Sequence, residues 1–342
     1  MAEEKTAQEL SDMMRLKKLA AQMEAAEYLG LSEEEIRERK QKKEMRRQKN
    51  IRTLEDTLDI LERGSYTKEG QEVRLRFSPE QMREVQVFLP DEIAALRTEA
   101  QESGSVDGGR CIFSCENTDA LTLAQRKCQN LSRSGDFAPA ILVLNLASGT
   151  QPGGRTRNGA NAQEEDLCRR TSLLLSLESE AARRYYSYNN ERKTRMGSDA
   201  VMLSPNVEVI KDSSSETLSD PFRISVMSCS APMVRLGLEG MSQQEYEMML
   251  YQRIQGMLLV AASRGYRHLV LGAFGCGVYG NDAATVSDLF YRAIQNLSYA
   301  GIDSGRLFDS IDFAVLCRSD EDYNYVEFCR NFDKNSEPGR RL

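Results

Sequence analysis

Two neighbouring carboxylates, Glu164 and Glu165, stand at the end of a glycine-rich stretch that begins after Leu146. Gly149, Gly153, Gly154 and Gly159 lie within it, and Gln163 precedes the acidic pair. Glycines let a backbone approach a ligand closely. Paired carboxylates suit one chemistry in particular. A glycosidic bond breaks through an oxocarbenium-like state, and carboxyl groups supply the acid and the base. One of them must hold a proton near neutral pH. A like-charged neighbour and burial under a ligand both raise a carboxyl pKa, so the adjacent pair could provide that coupling. The plainer alternative is that Glu164, Glu165 and Asp166 complement the dipole of a helix that starts there.

A second glycine cluster, Gly275, Gly277 and Gly280, is interleaved with Cys276, Val278 and Tyr279. It follows an apolar run and precedes a helical pattern, matching G-x-G-x-x-G. A dinucleotide-binding Rossmann unit would place an acidic residue about 20 positions on, at the end of the next strand. The next strand-like run lies further away, so hydride transfer is discounted. The physics of the loop survives: backbone N–H groups at a helix N-terminus suit a diphosphate. Tyr279 either packs on a sugar or packs on its own domain. The single histidine, His268, falls at the amino end of its strand, away from any ligand edge, and no P-loop motif occurs.

The elements that must position these loops alternate. Apolar strand-like runs fall at 111–114, 141–146, 200–203, 224–228, 269–273 and 313–317. Helical patterns fall at 119–131, 164–177, 243–263 and 284–297, the third opened by a capping box from Ser242 to Glu245 and followed by Gly265. Strands alternating with helices predict an α/β fold with a largely parallel sheet covered on both faces. Ligands in such sheets lie beyond the carboxyl ends of the strands, which points to the chain just after Leu146 and just after Ala273.

Ahead of this unit the chain is helical and charged. Residues 1–50 read as a charged helical arm, with Leu10, Met13, Met14, Leu16, Leu19, Ala20 and Met23 at helical spacing and a capping box from Ser32 to Glu35. Residues 51–108 read as an accessory region, with a helix over 51–64 and a strand over 73–77. Residues 109–332 are expected to form the α/β catalytic unit, and the polar tail 333–342 to be disordered.

Composition narrows the classes. Forty-five basic against 52 acidic residues give a net charge of −7, which argues against direct nucleic-acid binding. No apolar run reaches the roughly 20 residues of a membrane span, and the charged N-terminus has no signal-peptide core. Eight scattered cysteines without a C-x-x-C, and one histidine, argue against a zinc site. Single cysteines in apolar segments read as small core residues of a reducing compartment, so a cytoplasmic protein is expected.

Together the two loops resemble the microbial-type poly(ADP-ribose) glycohydrolases, a macrodomain family. Its signature is three glycines, then six to eight residues, then Gln-Glu-Glu. Here Gly153-Gly154-Arg155 is followed by seven residues and Gln163-Glu164-Glu165. Leu144-Asn145-Leu146-Ala147-Ser148 before it and Gly275-Cys276-Gly277-Val278-Tyr279-Gly280-Asn281-Asp282 later in the chain are also similar, and the likeness spans roughly residues 45–330. The resemblance implies a macrodomain-like mixed sheet with an N-terminal helical extension, and cleavage of ribose–ribose bonds in poly(ADP-ribose) without a metal or other cofactor. It implies Glu165 as acid and base. Glu164 and Gln163 would hold ribose hydroxyls, and Asn145 would contact the distal ribose. Gly153 and Gly154 would line the site, the 275–280 loop would bind the diphosphate, and Tyr279 would cover the scissile region. The departure is Arg155 at the third glycine position: it would strain the loop if positive φ were needed there, or offer a guanidinium to a phosphate. Two alternatives stay open, a macrodomain that binds ADP-ribose without cleaving it and a hydrolase of another ADP-ribosyl linkage.

Overall fold

The ends of the first long helix show how its sequence sets its limits. Ser32 Oγ accepts from the Glu35 N–H at 3.3 Å, and the Glu35 carboxylate accepts from the Ser32 N–H at 2.7 Å, closing a capping box. Three glutamates in the first turn complement the dipole, and the helix, α1 (Glu33–Arg63), ends where the Gly64 N–H donates to Ile60. The structure, a computed structural model, describes residues 32–101, 111–133 and 141–333. The helical spacing noted over residues 10–23, and all but one residue of the polar tail, lie outside the described residues.

α1 runs unbroken through residue 50, and only its second half is buried, through Asn50, Leu54, Thr57, Ile60 and Leu61. A hairpin follows, Ser65–Lys68 against Gln71–Arg74; the strand expected over 73–77 is the second arm of this hairpin and stops at Arg74. Ile60, Leu61 and Tyr66 form a small cluster with Met82 and Ile210 that fastens this N-terminal region to the main sheet.

That sheet has seven strands: β1 (Gln86–Phe88), β2 (Ile112–Glu116), β3 (Ile141–Leu146), β4 (Val201–Lys211), β5 (Thr217–Cys229), β6 (His268–Leu271) and β7 (Ser310–Ala314), in the spatial order β1-β4-β5-β3-β6-β7-β2. From β5 across to β2 every pairing is parallel; β4 pairs antiparallel with β5 and with β1. The α/β, largely parallel sheet expected from the sequence is therefore what forms. β3 shows why. Its six residues are an apolar run broken only by Asn145. Leu142 and Leu144 enter one core, and Ile141 and Val143 the other. A strand buried on both faces needs apolar side chains at every position.

The helices that cover the faces are α2 (Pro90–Gln101), α3 (Ala120–Arg133), α4 (Gln163–Arg170), α5 (Arg183–Glu191), α6 (Gln243–Ser263), α7 (Ala283–Gln295) and α8 (Tyr323–Phe332). α6 begins and ends at the expected residues, with the Ser242–Glu245 capping box in place.

Three further expectations need correction. The helix read over 164–177 is broken at Thr171 and Ser172 into α4 and a short helix, Leu173–Leu177. The Thr171 hydroxyl donates to the Leu167 carbonyl and accepts the Leu173 N–H, while Ser172 exchanges hydrogen bonds with Glu208 of β4. Hydroxyls close to the backbone offer it partners other than the helix ladder. The strand read over 313–317 is Ser310–Ala314, and Leu316 lies exposed beyond it. The polar Asp312 masked the true start; it is buried in an ion pair with Lys127 at 2.7 Å and accepts from Ser114 at 2.6 Å. The short runs at 200–203 and 224–228 are the cores of an 11- and a 13-residue strand joined as a hairpin.

Candidate active site

β3 and β6 are parallel neighbours, with Ile141, Leu142 and Val143 opposite His268, Leu269 and Val270. The two glycine loops therefore leave the sheet side by side at its carboxyl edge, where such folds bind ligands. His268 opens β6 at the opposite edge, as expected, bonded to Ser310 at 3.0 Å.

Glu164 and Glu165 occupy the first turn of α4 and are both buried, at 4% and 8% exposure. Glu165 is held entirely by backbone: one oxygen accepts from the Ala162 N–H at 3.0 Å, the other from the Arg155 N–H at 3.0 Å. Glu164 sits deeper. Its Oε2 accepts from the Ser148 N–H at 2.8 Å and its Oε1 from the Asn145 side-chain amide at 3.3 Å. Burial pushes the Glu164 carboxyl up to about 8, and the Glu165 charge pushes the same way against the hydrogen bonds from Ser148 and Asn145. At neutral pH Glu164 is therefore mostly the neutral acid.

Gly154 lies against both carboxylates. With φ +57, it has no room for a side chain: a Cβ there would stand 2.7 Å from a Glu165 oxygen and 2.9 Å from a Glu164 oxygen. Gly153 closes the other side of the loop against Leu174 and Cys168. Gly154→Ala combines left-handed strain with a collision on Glu165, and misplacing a reacting group by about 1 Å costs on the order of 100-fold. Turnover of Gly154→Ala is expected to fall by about that factor, measured as initial rate beside the wild type. Arg155, by contrast, has φ −111, which any residue adopts, so the arginine strains nothing.

Gln163 and Asn145 sit behind the pair. The Gln163 side chain donates to the Leu144 carbonyl at 2.7 Å and accepts from the Leu146 N–H at 2.8 Å, pinning the start of α4 to the end of β3. Asn145 is fully buried and donates to Ser228 as well as to Glu164.

In the second loop Gly275 turns at φ +75 where the side chain of Asn281 crosses it. Asn281 is the clasp: it donates to Pro232 at 2.8 Å and to Gly275 at 2.9 Å, and accepts from Tyr246 at 2.7 Å. The amides of Gly277, Val278 and Tyr279 have no acceptor among the described residues, and nothing crowds Gly277. α7 begins directly after, capped by Asp282 on the Thr285 N–H at 2.9 Å. Cys276 is half-buried, its thiol pushed up to about 12 by burial, and Val278 is exposed. Tyr279 joins the loops. Burial first, and then the charge of Glu164, raise its phenol, against a lowering by the Ser230 hydroxyl. Ser230 in turn lies 3.1 Å from where a Gly149 Cβ would be.

Sequence reasoning missed the brace on the first loop. From α1, Asn50 donates to the Gly159 carbonyl at 3.1 Å and to Asn161 at 3.2 Å, and Arg47 donates to Asn158 at 2.9 Å. A lone asparagine in a charged helix carries no signal of this contact. Asn50→Ala is expected to cost about 1–3 kcal/mol by leaving buried acceptors unmatched, read as a lowered midpoint in urea.

A family model described as microbial-type PARG, catalytic domain, matches residues 54–212. Among solved structures, poly(ADP-ribose) glycohydrolase from Thermomonospora curvata is 29% identical with a TM-score of 0.73, and the match covers 84% of this chain and 100% of that one. The same protein bound to the inhibitor ADP-HPD is 30% identical over the same shares, with a TM-score of 0.70. The chain belongs to the microbial-type poly(ADP-ribose) glycohydrolases. The glycohydrolase from Deinococcus radiodurans in complex with ADP-ribose is also similar, at 29% identity and a TM-score of 0.64 over 76% of this chain and 98% of that one. Comparison with curated proteins finds no match. As a glycohydrolase of this family the chain is a hydrolase, and no helix among its described residues is long and apolar enough to cross a membrane.

Proposed function

We propose that this chain binds ADP-ribose units of poly(ADP-ribose) at the carboxyl edge of the sheet and hydrolyses the ribose–ribose bond, with Glu165 as the acid and base. The observation that carries the reading is the placement of Glu165. It is held by two backbone N–H groups and lies against Gly154, at the sheet edge where the diphosphate-type loop also leaves its strand. The free amides of Gly277, Val278 and Tyr279, ahead of α7, suit a diphosphate. The reaction starts from the acid form of Glu165, which gives its proton to the leaving ribose oxygen as the C–O bond breaks. The resulting carboxylate then lies beside the cationic ribosyl group and stabilises it, and it takes a proton from the water that attacks. Glu164, kept neutral by burial, adds no second negative charge and offers a hydroxyl to the sugar. Asn145 and Gln163 act as positioning residues behind it. The likeness to proteins solved with ADP-ribose and with ADP-HPD supports the ligand. The expected setting is the cytoplasm, which suits eight free thiols. The test is incubation of the purified chain with poly(ADP-ribose) of defined length: free ADP-ribose should accumulate, whereas intact polymer under conditions where the chain binds ADP-ribose would favour a binding module.

A further inference from the structure

Arg155 stands where the family signature has its third glycine, and its surroundings give the replacement a use. Its backbone is fixed on both sides: the N–H donates to Glu165, and the carbonyl accepts from the N–H groups of Asn158 and Ala160 at 3.0 and 3.3 Å. Its side chain is exposed, and its guanidinium has no hydrogen-bond or ion-pair partner among the described residues. The other cations of this loop are engaged. Arg157 pairs with Glu178 at 2.8 Å, and Arg47, which reaches the loop from α1, is held by Asn158 and Glu44. One arginine is thus left free immediately beside the carboxylate that faces the scissile bond.

We infer that Arg155 determines substrate specificity, its guanidinium receiving the diphosphate of the ADP-ribose unit that departs when the bond is cut. The inference rests on the proposed glycohydrolase reading. On that reading the diphosphate of the retained unit lies against the 275–280 loop, which has its own amide donors and helix terminus. Arg155 belongs to the other loop. Because Glu165 protonates the leaving oxygen, the side of the site next to Glu165 is where the departing unit lies. A guanidinium meets phosphate oxygens in a paired, charge-assisted geometry that an uncharged leaving group cannot offer. The site would therefore favour polymer over ADP-ribose linked to a neutral group.

The test compares two substrates at the same anomeric carbon: poly(ADP-ribose) oligomers, and ADP-ribose bearing a neutral nitrophenyl leaving group. Arg155→Gln retains the N–H to Glu165, and a φ of −111 suits glutamine equally. The expected result is that kcat/KM for polymer falls about tenfold more than for the nitrophenyl substrate, in line with one exposed arginine–phosphate contact. The polymer rate should also lose much of its dependence on salt. Arg155→Glu should widen the gap. An unchanged ratio overturns the inference and leaves the glycohydrolase reading intact. An equal loss on both substrates with weaker ADP-ribose binding overturns it too, placing Arg155 on the retained unit. A wild-type chain that cuts neither substrate overturns the glycohydrolase reading and this inference with it.

Discussion

Glu165→Gln is expected to lower polymer cleavage by about 10³-fold while ADP-ribose binds within a few-fold of wild type. Glutamine is nearly isosteric, but it can neither give up nor accept the proton the reaction needs. One of its two contacts changes character: the amide nitrogen cannot accept from a backbone N–H, whereas the amide oxygen still can. The diphosphate-type loop, clasped by Asn281, is untouched. Binding measured by calorimetry and release of ADP-ribose measured by chromatography should therefore separate. A variant that loses both together would mean that Glu165 holds the loop and does not perform the chemistry.

Glu164→Gln should change how stability depends on pH. The Glu164 carboxyl is raised to about 8 in the folded chain, chiefly by burial, from an ordinary value near 4.5. Between these values the folded chain holds a proton that the unfolded chain has released. Stability therefore falls as pH rises from about 4.5 toward 8, and levels off above 8, where both forms are ionised. The glutamine variant is neutral throughout and lacks this term. Its stability relative to wild type should rise across the window by on the order of a few kcal/mol. Chemical unfolding at pH 5, 6.5, 8 and 9 checks this. Parallel curves for the two proteins would show that Glu164 is ionised in the fold.

Much of this was legible in the sequence because its signals are local. β3 and α6 have the expected ends, since an unbroken apolar run and a capping box each carry their own limits. The two glycine loops were located for the same reason: they follow strands, and parallel strands put their carboxyl ends on one edge. What the sequence hid depends on distant partners. Whether Arg155 strains its loop turns on a φ that only the fold supplies. Asp312 looked too polar for a strand until Lys127 was seen beside it. Residue type alone does not say which glutamate of the pair is more buried; the fold does, through burial and the Ser148 and Asn145 contacts of Glu164. Asn50, more than a hundred residues from the loop it braces, carried no local mark.

The most direct check is a crystal structure of Glu165→Gln with ADP-ribose. The diphosphate should lie on the amides of Gly277, Val278 and Tyr279, with the anomeric oxygen of the distal ribose within hydrogen-bond distance of the residue 165 side chain. A ribose that points away from that side chain, or a diphosphate bound elsewhere, would contradict the account.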